Sequence, residues 1–232
     1  MIIEILADAE AVALKAAKVI AETARLSVAE RGRFVIALSG GRTPWLMLRA
    51  LAQEVVPWQG VHIVQVDERV APLGHPERNL THLRESLLER GPLRPEQLCA
   101  MPVESPDLES AAERYAQTLR EIAGSPPLLD LAHLGLGPDG HTASLVPGDP
   151  ALKITDTDVA LTGVYQGRRR MTLTYPILNR ARRILWLVTG RDKAEALVRL
   201  RDGDTSIPAG RVRRDDSVVL ADRAAAEKLG GN

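Results

Sequence analysis

Leu128-Leu129-Asp130-Leu131-Ala132-His133-Leu134 runs directly into Gly135-Leu136-Gly137-Pro138-Asp139-Gly140-His141-Thr142-Ala143-Ser144. The first seven residues are apolar but for Asp130 and His133, which reads as a strand covered on both faces. The next ten hold three glycines and a proline, a composition that continues neither a strand nor a helix interior. A buried strand closing on a glycine turn is half of a parallel βα unit. In open α/β sheets, ligands sit outside the carboxyl ends of such strands. Out of this turn come a carboxylate, Asp139, and an imidazole, His141, two residues apart. That pair suits acid–base chemistry. A structural reading stands beside it, with Asp139 making the turn and His141 a hydrogen-bonder. Gly135, Gly137 and Gly140 also spell G-x-G-x-x-G, but Pro138 sits inside the pattern and Pro147-Gly148 stop any helix early. A dinucleotide site is therefore not expected.

Toward the N-terminus the same alternation of strand and turn recurs. Ile2 to Leu6 reads as a short strand, and Asp8 can cap an alanine-rich amphipathic helix to about Ala29, ended by Gly32. Arg33 to Leu38 is an apolar strand that enters Ser39-Gly40-Gly41-Arg42-Thr43-Pro44. Thr43 is placed as the N-cap and Pro44 at the first position of a helix to about Gln53. Two adjacent glycines offer bare N–H groups at that helix start, an arrangement suited to an anion. Val61 to Val66 is the next strand. Asp67-Glu68-Arg69 then fall either at a ligand or in a surface salt-bridge cluster. Asn79 is placed as the cap of a helix Leu80 to Glu89, and Asp107 as the cap of another to about Ile122.

Toward the C-terminus, Val159 to Val164 reads as an edge strand and Arg170 to Thr174 as a second strand. Pro176 opens a short helix, and Arg183 to Val188 is a strong apolar strand. Thr189-Gly190-Arg191-Asp192-Lys193 follows it, then a helix to about Leu200. Asp192 and Glu195 stand at capping-box spacing, which puts Lys193 at the first helical position. A cation there opposes the helix dipole, and a bound anion would remove the conflict. Ser217 to Leu220 is a last strand, with Asp222 capping a terminal helix. The expectation is one α/β domain over residues 1–232: a doubly wound, mostly parallel sheet with helices on both faces.

Composition narrows the function. Lys+Arg and Asp+Glu number 30 each and aromatic residues are 3%, which offers nucleic acid neither a basic field nor stacking platforms. Arginine clusters at 168–170, 180–183 and 211–214 read as solvated faces, one of which could serve a small anion. Cys99 is the lone cysteine, so no disulfide forms within the chain. No basic-then-apolar leader and no run of about 18 apolar residues is present, so the expected location is cytoplasmic, away from membranes. No zinc-type spacing of His and Cys occurs, so neither metal nor cofactor is expected.

Four stretches now stand in order: Ser39 to Pro44, Asp67 to Arg69, Gly135 to Ser144, and Arg170 to Thr174 with Val188 to Lys193. Together they resemble the 6-phosphogluconolactonase family over nearly the whole chain, down to Pro208-Ala209 and Arg211-Val212. The Gly-Pro-Asp-Gly-His-Thr-Ala-Ser string is the most specific element. The others are shared with relatives that deaminate glucosamine 6-phosphate on the same modified Rossmann-like fold. Those relatives carry an acidic residue just before Pro-Gly, where this chain has Val146. The chain also departs from the usual family pattern at Arg78 (usually Ser), at Arg42 (often small) and at Val218-Val219-Leu220 (usually with an aromatic).

The resemblance implies hydrolysis of 6-phospho-D-glucono-1,5-lactone, a small-molecule partner, by a monomer or a homodimer. One task is to hold the phosphate. Ser39, Gly40, Gly41, Arg42 and Thr43 are assigned to it, with Arg170 and Lys193 and with Arg69 as a further candidate. The other is to open the ester. His141 is the general base, and either Asp139 or Asp67 orients its ring. N–H groups of the glycine turn are candidate oxyanion donors. The alternatives are a deaminase-like isomerase and a non-catalytic sugar-phosphate sensor on the same fold.

Overall fold

Continuous apolar strands need cover on both sides, and in the computed structural model they receive it. The structure describes residues 1–89 and 91–230. In chain order the elements are β1 (Ile2–Leu6), α1 (Ala9–Arg31), β2 (Phe34–Leu38), α2 (Arg42–Leu51), β3 (Val61–Gln65), β4 (Asp67–Arg69), α3 (Asn79–Leu83), β5 (Leu98–Cys99), α4 (Leu108–Ala123), β6 (Leu131–Gly135), β7 (Val159–Leu161), β8 (Arg170–Leu173), α5 (Tyr175–Arg180), β9 (Arg183–Val188), α6 (Ala194–Asp202) and β10 (Ser217–Asp222). Seven strands form a parallel sheet in the order β1-β10-β9-β6-β2-β3-β5.

Alternate residues of each strand feed two cores. On one face Phe34, Ile36, Leu38, Leu185 and Leu187 pack under α1 and α2. The alanines of α1 (Ala13, Ala16, Ala17, Ala21, Ala24) are buried there, and their small side chains bring that helix close to the sheet. On the other face Val35, Ala37, Ile184, Trp186 and Val188 pack with Tyr115 and Leu119 of α4 and with Leu197 and Leu200 of α6. The doubly wound arrangement follows from this division. Among the described residues no helix is long and apolar enough to cross a membrane.

A second sheet was not expected: β4-β8-β7, antiparallel, joined to the main one at Val66, whose N donates to Leu38 O at 3.0 Å and whose O accepts from Leu173 N at 2.8 Å. The Asp67-Glu68-Arg69 strand belongs to it and is no surface cluster, since Glu68 is fully buried and Asp67 nearly so. Other expectations shift as well. Gly41 precedes the first turn of α2, and the Thr43 hydroxyl is spent on Thr189 Oγ1 at 2.7 Å, so Thr43 is no N-cap. Asn79 is the first residue of α3, behind Arg78, and its amide turns inward to Asp67. Among the described residues only turns follow Asp222, whose carboxylate accepts from Ala225 N at 2.7 Å. Asp8 and Asp107 do cap their helices, accepting from Ala11 N and Ser110 N.

The two polar residues of the opening strand region both have partners that place them. Asp130 accepts from Val35 N and from Arg31 Nη2, each at 2.8 Å, and so ties α1 and β2 to the start of β6. His133 is fully buried. Its Nδ1 accepts from Ser39 N at 3.2 Å while Ser39 Oγ donates to His133 O at 3.0 Å. The ring thereby pins the first residue of the glycine loop beside β6.

Burial pushes the His133 imidazole down from 6.5 to about 3. Between those values the unfolded chain binds a proton that the folded chain refuses, so stability falls as pH drops through the window. From pH 7 to pH 5 this group is expected to remove about 2 kcal/mol. Urea unfolding at the two pH values measures it against His133→Leu, whose loss should be smaller by that amount. Equal losses in both proteins would refute the assignment.

Candidate active site

All strands of a parallel sheet end on one edge, so the loops after β2, β3, β6 and β9 meet there. They enclose a crevice of about 160 Å³, which continues outward into cavities of about 580 and 240 Å³. Lys193 lines all three. His141 lies in the inner crevice with Ser39, Gly40, Asp67, Arg69 and Arg170. Gly41, Arg42 and Thr43 line the outer parts. The residues assigned from the sequence thus converge from the loops after β2, β6 and β9 and from β4 and β8 of the second sheet.

At the inner end His141 Nδ1 lies 2.6 Å from Asp139 Oδ1, and the same oxygen accepts from His141 N at 3.1 Å. Asp139, not Asp67, therefore orients the ring. Burial raises the Asp139 carboxyl, but the charge and hydrogen bonds of His141 outweigh it and hold the group below its ordinary range. An ionised carboxylate on Nδ1 selects the tautomer that leaves the lone pair on Nε2. The turn itself is closed by Gly137 N donating to His141 O at 2.8 Å and Gly140 N donating to Gly137 O at 3.0 Å. Of the turn's N–H groups expected as oxyanion donors, those of Gly137 and Gly140 are thus engaged inside the turn. A Cβ on Gly137 would lie 2.1 Å from His141 Nδ1, so the position admits no side chain. Ala209 N donates to Gly140 O at 2.9 Å, which places the Pro208-Ala209 motif against this turn.

At the other end Gly41 adopts φ 131°, a conformation natural to glycine. A Cβ on Gly40 would lie 1.8 Å from Asn79 Oδ1. The glycine pair thus serves close approach as well as turning. Lys193 ends a short turn, Arg191–Lys193, ahead of α6, and its ammonium pairs with Asp192 Oδ2 at 2.8 Å. The expected capping box is absent because Asp192 takes Lys193 and Glu195 takes Lys228. Asp222 accepts from Gly190 N at 3.1 Å and so anchors this loop. Arg170 is nearly buried, and burial, with the nearby charge of Arg69, lowers its guanidinium below the ordinary range. Its Nε has no partner. A buried, unpaired guanidinium donor in a cleft is a place for an anion.

Asp67 sits between these ends. It accepts from Ser144 Oγ at 2.6 Å and from Asn79 Nδ2 at 3.3 Å. Asn79 Oδ1 in turn accepts from Arg69 Nη1. Beneath them lies Glu68. Its Oε1 accepts from Arg69 N and Asn79 N, and its Oε2 from Gln65 Nε2 and Leu80 N, all at 2.8–2.9 Å. Arg78, equally buried, holds its Nε 3.0 Å from Glu68 Oε2 without hydrogen-bond alignment, and its Nη1 donates to Glu104 Oε1 and Ala71 O at 2.6 Å.

Sequence reasoning missed Asn79 as a site residue, because a helix-start asparagine reads as a cap. It also missed Tyr165 and Gln166, which sit on a hairpin tip with no motif to mark them. Tyr165 lies edge-on to His141 with ring centroids 5.6 Å apart, and Arg170 Cζ stands 4.9 Å from its ring centroid. Among the described residues no three His, Cys, Asp or Glu side chains converge as a metal site.

Residues 7–220 match the family described as glucosamine-6-phosphate isomerases/6-phosphogluconolactonase. A 6-phosphogluconolactonase of Synechocystis is 40% identical over 175 residues, covering 74% of this chain and 72% of that protein. The chain belongs to the 6-phosphogluconolactonase family. The crystal structure of the family member from Thermotoga maritima superposes with a TM-score of 0.84 at 29% identity, over 95% of this chain and 98% of that one. A monomeric glucosamine-6-phosphate deaminase superposes equally well, with a TM-score of 0.86 over 98% and 100% of the chains, but at 22% identity. Fold likeness alone therefore does not separate lactonase from deaminase, and the side chains of the crevice carry that distinction.

Proposed function

We propose that the protein hydrolyses 6-phospho-D-glucono-1,5-lactone to 6-phospho-D-gluconate. The observation that carries this reading is the Asp139–His141 pair opening onto the same crevice as Lys193, Arg170 and the Gly40-Gly41 loop. The phosphate dianion is held by Arg170, Lys193, Arg42, the backbone N–H of Thr43 and the loop glycines, which places C1 of the ring beside His141. His141 Nε2 takes a proton from water as the water oxygen bonds to C1. Collapse of the tetrahedral centre breaks the bond from C1 to the ring oxygen, and the imidazolium returns its proton to that oxygen. The product leaves as an open-chain carboxylate. The N–H groups of Gly137 and Gly140 are engaged within the turn, and Arg69 lines the crevice as a side-chain donor for the oxyanion.

The deaminase reading lacks a residue. Val146 stands where those relatives place an acid; it is buried, and an aliphatic side chain moves no proton. The sensor reading gives no use to a carboxylate-oriented imidazole. The direct test oxidises glucose 6-phosphate in situ to generate the lactone. Its decay is then followed with and without the protein, with spontaneous hydrolysis subtracted. No acceleration would refute the proposal. Lys193→Ala is expected to raise KM by about 10–100-fold, the worth of one charge-assisted hydrogen bond. An unchanged KM would move the phosphate elsewhere.

A further inference from the structure

We infer that Tyr165 is a positioning residue that keeps the two ends of the crevice in register, and that the tip of the β7–β8 hairpin exists to present it. The inference rests on the reading of Asp139–His141 and Arg170 given above. The hairpin closes through Tyr165 N donating to Arg168 O at 2.9 Å and Arg168 N donating to Tyr165 O at 3.3 Å. Gln166 and Gly167 turn at φ 53° and 80°, the left-handed pair of a tight hairpin. Such a tip belongs in solvent, and it does not call for an aromatic side chain.

Tyr165 contributes to neither hydrophobic core. Its contacts are with the site. The ring edge meets His141, the ring face lies under the Arg170 guanidinium, and the hydroxyl is 3.4 Å from Asp139 Oδ2, the oxygen not used by His141. Burial and the neighbouring Asp139 charge raise the phenol above its ordinary range, so it stays protonated and donates. Gln166 Oε1 accepts from Arg170 Nη2 at 3.1 Å, which steadies the same guanidinium from the next residue.

The tip is also fastened across the mouth. Arg168 pairs with Glu77 and lies 3.0 Å from His75 Nε2, both on the loop between β4 and α3. Without the aromatic face, Arg170 is free to fall toward Asp67 and Ser144, whose Oγ already lies 3.5 Å from Arg170 Nη1. The anion would then lose an aligned donor, and His141 would lose the ring that limits its rotation.

The test compares wild type with Tyr165→Phe and Tyr165→Leu. It reads KM and kcat on lactone generated in situ, and Kd for 6-phosphogluconate by calorimetry. Phenylalanine keeps the π face and loses only the hydroxyl. Its KM and Kd should stay within about twofold of wild type, while kcat falls about two- to fivefold. Leucine fills similar space without a π face, and its KM and Kd should rise about five- to tenfold. Thermal melting controls for folding. Leucine matching phenylalanine in all three constants would show mere packing and overturn the inference, as would wild-type constants in both variants. No turnover in the wild type would sink the proposed function instead, and the Kd comparison would still decide the role of Tyr165.

Discussion

Replacing His141 with alanine is expected to lower kcat for lactone hydrolysis by about 10²–10⁴-fold. The magnitude is that of a general base in position, and the geometry puts the position at this ring. Nδ1 is committed to Asp139 at 2.6 Å, so only Nε2 is left to meet water. His133, nearest in sequence, is sealed in the core and held neutral, with its Nδ1 occupied by Ser39. His141 is half-buried at the crevice wall and carries little of the core, so the variant should melt with the wild type. The phosphate end is untouched, so KM should move by no more than about threefold. Steady-state rates on lactone made in situ, corrected for spontaneous decay, measure both constants. A kcat within about fivefold of wild type would take the base role from His141 and leave Asp67 as the remaining carboxylate in the crevice.

The parts of this molecule that were legible in the sequence are those set by hydrophobic pattern. Phe34 to Leu38 and Arg183 to Val188 announce parallel strands because both their faces must be covered. Asp8 and Asp107 announce helix starts because the partners of their carboxylates lie in the first turn of their own helices. The same rule fails at Thr43 and Asn79 for tertiary causes, and at Asp192 through its own sequence neighbour. Thr189, Asp67 and Lys193 respectively draw those side chains away from the helix end. The misplacements gather at the crevice, where local preference gives way to the site.

The second sheet was hidden for a related reason. Asp67-Glu68-Arg69 carries no apolar alternation, so no periodicity argument finds a strand there. It becomes one because its carboxylate is satisfied from all sides, a fact settled by residues 65, 78, 79 and 80 together. In the site, the glycine pairs and the Asp-x-His spacing were visible, whereas Tyr165 was not. Its role depends on a hairpin folding over a turn that lies 24 residues earlier in the chain.

Glu68 is where the fold and the site depend on one side chain, and its removal should be the costliest substitution for stability. Glu68→Ala takes the acceptor from four N–H donors and leaves the Arg78 guanidinium in the interior with only Glu104 and Ala71 O. Breaking a buried pair by removing one partner costs about 3–5 kcal/mol, and Tm should fall by roughly 6–20 °C. Glutamine is no rescue. Each oxygen of Glu68 takes two donors, so an NH₂ at either place faces donors. Arg78→Met should cost less than Glu68→Ala, which separates the carboxylate's own bonds from the ion pair. In that variant Glu68 keeps its four N–H donors, and Glu104, 42% exposed, turns to water. Arg69 N and Asn79 N hang on the same carboxylate, so residual Glu68→Ala enzyme should also lose activity beyond its folded fraction. Thermal melts and urea unfolding of the two variants decide it. Arg78→Met as damaging as Glu68→Ala would place the stability in the ion pair, whereas the hydrogen-bond geometry places it in the carboxylate and the backbone it gathers.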